Sequence, residues 1–547
     1  MHGSGSRRNI LDTCSDVAEP MRKSLRHALL ILLLAGADSA DGADGLSEQQ
    51  KALHVLDRLA YGPRPGDLDR VTAMGAERYV DEQLSPQKIA QPAELQQQLD
   101  ALETTRLGAA ELFRRYGPPA RRDAGDDAAA RKKVQKAANH VAEQAMQARL
   151  LRAVYSPAQL QEVMTDFWFN HFNVFRGKGL EERIWLAAYE RDAIRPYALG
   201  RFRDLLGATA KHPAMLYYLD NWQSTVPRTD RFGDSKGGLN ENYAREVMEL
   251  HTLGVDGGYT QKDVTELARI LTGWTYLPRD WAEGGDASFQ FEPKRHDFGG
   301  KTLLGAHFEG SGESEGERAL DLLARSPATA HHLSWQLAQY FVADEPPPAL
   351  VERMAKRYMQ TDGDIHEVLW VLFHSPEFWS ADHVGNKFKT PYQYVVSALR
   401  ASGTEVRNFR PAMGMLNQLG MPLYGCQTPD GWKNTQSAWL NPDAMVYRLN
   451  FATALGAGRL PLLRPEASLP VLDDGEPAPK PMNASMSAPA PEQADFGPED
   501  RPPPPEADAL QATLGNPFSP DSIAALAAAK PRLRAALILG SPEFMRH

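Results

Sequence analysis

The chain has 547 residues and a formal net charge of −10, with 70 acidic and 60 basic side chains well mixed along it. That length carries either a large helical core or several domains, and the acidic balance argues against a nucleic-acid surface, which shows as a basic excess on one face. Of the two cysteines, Cys14 precedes an export signal, so Cys426 stands alone; an internal disulfide framework and a cysteine-built zinc site are both excluded.

Residues 1–20 read as an upstream extension, with Met21 as an alternative start. Residues 21–40 read as a signal peptide: basic Arg22, Lys23 and Arg26, an apolar run from Ala28 to Ala35, then Ala35-Gly36-Ala37 as a cleavage site. The apolar run is too short to span a membrane. From residue 46 to 460, apolar residues recur at three- and four-residue spacing and alternating β-branched runs are few. This predicts a mostly α fold: one large multi-helix domain with a small β-hairpin or loop insertion. The hairpin is expected within 279–310, where glycine clusters break the helical pattern. Residues 118–140 form a polar, charged insertion. Residues 461–510 are Pro-rich and read as a disordered linker, and residues 511–547 as a C-terminal helical segment packing on the core. Ser-Pro-Glu-Phe occurs at 375–378 and again at 541–544, where each serine is expected to start a helix.

Chemistry-bearing residues cluster in a few places. In LQEVMTDFWFNHFNVF (160–175), Asp166, Trp168 and Asn170 are candidates for a cleft wall, with His171 or Asp166 handling a proton; the alternative is an aromatic core helix with a satisfied histidine. In GLNENYAREVMELHTLGVDGGYT (238–260), a projection at about 100° per residue puts Asn242, Glu246, Glu249 and Leu253 on one face, with His251 at the border of the apolar face. By i,i+3 spacing the Cβ atoms of Glu246 and Glu249 lie about 5–6 Å apart. They read as catalytic carboxylates, with Asn242 and Arg245 as substrate contacts. Alternatively they pair with Arg245, Arg269 or Arg195 and brace a helix corner. Thr260 is placed to cap the next helix with Asp263 at its third position, and Trp274 follows as an aromatic contact. His296-Asp297 precedes a Gly-Gly turn and is either an acid/base or metal half-site, or turn chemistry. Lys387, Lys389 and Arg400 read as surface charges, Lys389 being the one to watch. TPDGWKNTQSAWLNP (428–442) offers Asp430, Trp432, Asn434 and Trp439, a mix suited to stacking a sugar ring or to packing a loop.

Several phrases in this order, among them LDRLAYGPRPGDLDRV, FWFNHFNVF, LNENYAREVMELHTLGVDGGYT, ARILTGWTY, RHDFGGKTLLG and NKFKTPYQYVVSALRA, resemble the bacterial family called domain of unknown function 1800. The resemblance runs from about residue 53 to 460 and resumes at the C-terminal SPEF. It implies a secreted, mostly helical protein, often encoded beside a secreted family with a sulfatase-like fold, and it brings no catalytic role with it.

Three functional readings are carried forward. The first is a periplasmic or secreted hydrolase acting on an extracytoplasmic polymer, a glycan. Cleavage there needs carboxyl groups on both sides of the bond. Because one helix presents Glu246 and Glu249 from the same side, the opposing acid is expected at Asp166 or Asp297. No cofactor is expected. The second is a metal-dependent, possibly redox, enzyme using His171, Glu246, His251 and His296; against it, His251 projects about 140° from Glu246 rather than at the Glu-x-x-His spacing of di-iron helices. The third is a non-catalytic secretion or assembly partner of a sulfatase-like protein. The export signal generates its own test: N-terminal sequencing of protein from the periplasmic or culture fraction should begin just after Ala37 or Ala40. Uncleaved protein confined to the cytosol would contradict it.

Overall fold

Helices begin where the sequence supplies an oxygen to the first free amides. Ser47, Thr260 and Thr390 each accept the N–H three residues on and donate their own backbone N–H to the side chains of Gln50, Asp263 and Gln393; such reciprocal caps are worth about 0.5–2 kcal/mol each. Proline occupies the first turn of many others, including Pro213–Tyr218, Pro327–Phe341 and Pro442–Gly456, where its missing N–H costs nothing. The computed structural model describes residues 45–118, 128–226, 228–229, 235–464 and 497–547. The upstream extension and signal peptide therefore lie outside the described residues, as do 119–127 of the charged insertion and 465–496 of the linker.

The protein is mostly α-helical, and Ser47–His547 forms one compact unit. Its centre is the long helix Ala128–Tyr155, whose buried Ala138, Ala142, Ala145 and Ala148 let Leu180–Tyr189 and Pro391–Ser402 pack closely against it. Among the described residues the β-structure amounts to three two-stranded antiparallel hairpins. Trp274–Thr275 pairs with Gln290–Phe291, and Lys301–Leu303 with Ala306–Phe308, so the expected non-helical insertion holds one complete hairpin and half of another. Arg228–Thr229 pairs with Ser235–Lys236.

The C-terminal segment docks through both its helices and its last residues. Helix Pro531–Leu539 crosses Pro442–Gly456 at Gly456, where a Cβ would stand 2.6 Å from the Ala536 amide nitrogen. Beyond it, the Lys389 N–H donates to Met545 C=O (2.9 Å) and the His547 N–H to Lys387 C=O (2.9 Å). Phe544 and Met545 are buried. The described ends of the linker also lie against this body: Leu462 is buried and its carbonyl accepts from the Arg407 and Asn408 amides, while the Leu463 N–H donates to Asp500 C=O.

Two expectations are corrected here. Lys387, Lys389 and Arg400 are buried rather than surface charges. Each has found buried acceptors: Lys389 Nζ donates to Ser397 Oγ and Phe544 C=O, both at 2.9 Å, and Arg400 donates to the Gly62 and Val154 carbonyls. Burial, partly opposed by Asp57, pushes the Lys389 ammonium down to about 8. The two SPEF segments do not start helices either. Both are turns that follow a helix C-terminus, and in both the serine Oγ accepts the phenylalanine N–H (Phe378, 3.2 Å; Phe544, 3.1 Å) while the ring is buried.

Phe544 thus anchors the tail and holds the carbonyl that satisfies a buried ammonium. Phe544→Ala should cost about 3–5 kcal/mol, the usual range for emptying an aromatic core site, measured by urea denaturation of the full chain. An unchanged midpoint would mean that the tail is not docked.

Candidate functional site

The sequence FWFNHFN turns its aromatic residues inward and its asparagines toward a neighbouring loop. Trp168 is fully buried and donates its indole N–H to Ala198 C=O (2.9 Å), so it belongs to the core and not to a cleft wall. Asn170 acts as a two-way clamp: its Nδ2 donates to Trp432 C=O (2.9 Å) and its Oδ1 accepts the Trp432 N–H (2.7 Å). Asn173 Nδ2 donates to the carbonyls of Cys426 and Thr428. Gly431 permits the approach, with φ +67° and no room for a Cβ, which would stand 2.2 Å from the Asn170 carbonyl oxygen. The end of the helix Gln159–His171 and the two residues after it therefore fix the 426–432 loop, and with it Asp430 and Trp432.

The opposite wall comes from Asn242–Glu246 and the turn that follows. Residues Val247–Thr252 form a π-helix rather than continuing the α-helix. The Leu253 N–H reaches back five residues to Met248 C=O (2.9 Å), and Thr252 Oγ donates to Val247 C=O (2.6 Å). A widened turn of this kind is rare and tends to occur at functional sites. It leaves the carbonyls at its C-terminal end without helical partners, and two histidines supply them. His171 Nε2 donates to His251 C=O (3.1 Å) and His332 Nε2 to Leu250 C=O (3.3 Å). A carbonyl only accepts, so each Nε2 carries the proton. Burial, with His332 nearby, pushes the His171 imidazole down to about 3; burial also lowers His332. Both rings cap the turn, and burial favours their neutral forms. His251 is 1% exposed with its ring 5.8 Å from that of His171; burial, then His171 and His332, holds it well below the usual histidine range.

Between these walls lies a cleft of about 340 Å³, lined by Asp166, Asn170, His171 and Glu249, by Trp335 and Tyr340 of helix Pro327–Phe341, and by Asp430, Trp432 and Lys433 of the loop, among others. Trp335 is 39% exposed in it. Asp166 is paired with Arg149; burial nonetheless raises it, against the pull of that arginine. Asp430 is paired with Lys433 at 2.7 Å. Burial would raise it, but Lys433 and the Thr428 hydroxyl hold it below the usual carboxylate range. Glu246 is half-buried beside the cleft, one turn before Glu249. Burial raises its pKa, and the charges of Glu249 and Asp430 add to that, with Arg245 opposing.

The arginines that could have braced the two glutamates are engaged elsewhere. Arg245 pairs with Glu241 and bonds Gln261, Arg269 pairs with Glu266 and Asp297, and Arg195 pairs with Glu162 and Glu190. Among the described residues, neither Glu246 nor Glu249 has a salt-bridge partner; Glu249 accepts from the Tyr259 hydroxyl at 3.3 Å. The structure thus brings together Asp166, Asn170, His171, Glu249 and Trp432, with Glu246 adjoining.

The other candidates stand apart from the cleft. Trp274 is fully buried, its ring 5.1 Å from Phe289. Asp297 accepts from Arg269 (2.7 Å) and from the Gly299 N–H (2.8 Å), the turn chemistry named as its alternative role. His296 lies buried beside Glu315 (3.3 Å) and contacts Thr272 C=O. Asn242 is exposed at a helix start. The set His171, Glu246, His251 and His296 is therefore split between two places, and among the described residues no three His, Cys, Asp or Glu side chains converge as metal ligands. Asp430 as an acid, and His332, Trp335, Gln336 and Gln339 on the helix Pro327–Phe341, are cleft residues that the motifs above do not include. Those four recur at three- and four-residue spacing in PATAHHLSWQLAQYF, so a polar and aromatic helix face was there to be seen.

The family described as Protein of unknown function (DUF1800) matches residues 54–546 of the chain. No curated protein and no solved structure matches it.

The state of Glu246 can be read from stability. A carboxyl group raised in the folded protein contributes fully below its unfolded pKa, about 4.3, and that contribution is lost as pH rises through the folded value. Glu246→Gln should therefore raise the melting temperature at pH 7 and leave it unchanged near pH 4. A drop at pH 7 would show that Glu246 braces the helix corner.

Proposed function

Since the chain belongs to the DUF1800 family, whose description stops at unknown function, we propose its activity from the cleft: hydrolysis of an extracytoplasmic polymer, a glycan, by carboxyl acid/base chemistry. The observation that carries this reading is a pair of carboxyl groups in electrostatic contact whose surroundings differ in opposite senses. Glu246 is half-buried with no ion pair, and Asp430 is ion-paired on a loop across the cleft. Environments that push two titrating groups apart assign the acid and base roles between them. Glu246, the group whose pKa burial and neighbouring acids raise, takes the acid role toward the leaving glycosidic oxygen. Asp430, kept ionised by Lys433, acts from the other side, as a base toward water or as the nucleophile.

Asp430 replaces the opposing acids expected from sequence. Asp166 is held by Arg149, and Asp297 is outside the cleft. Trp335 and Trp432 offer partly exposed rings on which sugars stack. Export by the 21–40 signal would bring the cleft to such a polymer. No helix among the described residues is long and apolar enough to cross a membrane.

The test is reducing-end release from a panel of soluble polysaccharides by wild type, Glu246→Gln and Asp430→Asn. Each variant should fold normally and lose about 10²–10⁴-fold in kcat, the usual contribution of a general acid or base. Full turnover by well-folded Glu246→Gln would remove the proposed acid.

A further inference from the structure

The charges lining the cleft do not cancel. Asp166 is matched by Arg149 and Asp430 by Lys433. Glu249 has no salt-bridge partner among the described residues: its polar contact is the Tyr259 hydroxyl, and the nearest arginine of its own helix, Arg245, is bonded to Glu241 and Gln261. The histidines on this side, His171 and His332, are committed through Nε2 to backbone carbonyls rather than to Glu249. Glu246, one turn earlier, adds a further carboxyl group beside the cleft.

Lining the same cleft as this carboxylate are the rings of Trp335, at 39% exposure, and partly buried Trp432. A carboxylate beside exposed aromatic faces is the arrangement that binds an ammonium group, by ion pairing and by cation–π attraction together. The same field repels uronic, sulfated or phosphorylated polymers.

Resting on the hydrolase reading above for the identity of the polymer, we infer that the cleft takes a glycan carrying free amino groups, a partly de-N-acetylated amino-sugar chain. Glu249 receives one ammonium, and the tryptophans stack the adjoining rings. Glu249 is then a substrate-binding residue, distinct from the acid and base.

Binding separates this inference from the hydrolase reading. Calorimetric titrations would use glucosamine, N-acetylglucosamine and uronic-acid oligomers of equal length, at low salt and a pH that keeps the amines protonated. The glucosamine oligomer should bind at least about tenfold more tightly than the N-acetylated one, and the uronic oligomer not at all. That preference should shrink as salt rises and collapse in Glu249→Gln. Equal binding of the acetylated oligomer, binding of the uronic oligomer, a preference that survives Glu249→Gln, or binding of none of the three overturns the inference. Amine-selective binding without bond cleavage would overturn the hydrolase reading alone. Cleavage of a neutral glycan without amine selectivity would overturn only the inference made here.

Discussion

Arg149 is the residue on which the cleft depends. Its guanidinium is buried in the long central helix, paired with Asp166 and standing 3.6 Å from Glu190. Phe169, Tyr424 and Tyr392 present their rings to it at 4.9, 5.1 and 5.6 Å. Glu190 in turn bonds Arg195 (3.0 Å) and the Tyr424 hydroxyl (3.0 Å), and Arg195 bonds Glu162 (2.8 Å). Burial would raise Glu190, but Arg149 and Arg195 hold it below the usual carboxylate range. Buried charges of this kind are tolerated only when fully paired, and removing one partner costs about 3–5 kcal/mol. The lattice thereby fixes the helix Gln159–His171 at Glu162 and Asp166, and the cleft loop at Tyr424.

From that fixed helix the remaining geometry follows by hydrogen bonds to backbone. Asn170 and Asn173 hold the loop that carries Asp430 and Trp432, and His171 holds the end of the π-helical turn that carries Glu249. Polar side chains that look like catalysts in the sequence are thus largely positioning groups. Among the described residues Glu246 and Glu249 are left without ionic partners, whereas Asp430 keeps Lys433. This contrast between a saturated support and an unsaturated edge is what distinguishes the cleft from the buried His296–Lys301–Glu315 cluster, where every side chain is fully enclosed.

Much of the architecture was legible in local pattern. The capping box at Thr260 with Asp263 was read correctly because a cap depends only on residues three apart. The helical class followed from three- and four-residue apolar spacing, and the non-helical insertion from its glycine clusters. The wheel drawn through 242–253 failed at a definite place. It assumed α geometry, and from Val247 the π turn inserts an extra residue into the cycle, rotating later positions by about 100°. His251 accordingly sits deep beside His171 rather than at a border. The SPEF segments misled for a related reason. Serine before proline favours a helix start, yet the same serine oxygen can accept the phenylalanine amide within a tight turn once a helix has already ended.

The sequence by itself determined the helical class, several helix starts, the break at 279–310 and the stretches in which site residues would be found, because each of these rests on interactions within a few residues of chain. Only the tertiary structure decided which carboxylates are free. Arg195, Arg245 and Arg269 were all reasonable partners for Glu246 and Glu249 by sequence, and packing gave each of them to another acid. Asp430 and Trp335 lie far along the chain from Glu249 and share a cleft with it only through the fold. Whether a charge is buried, paired or left open is set by neighbours distant in sequence, and no local spacing encodes it.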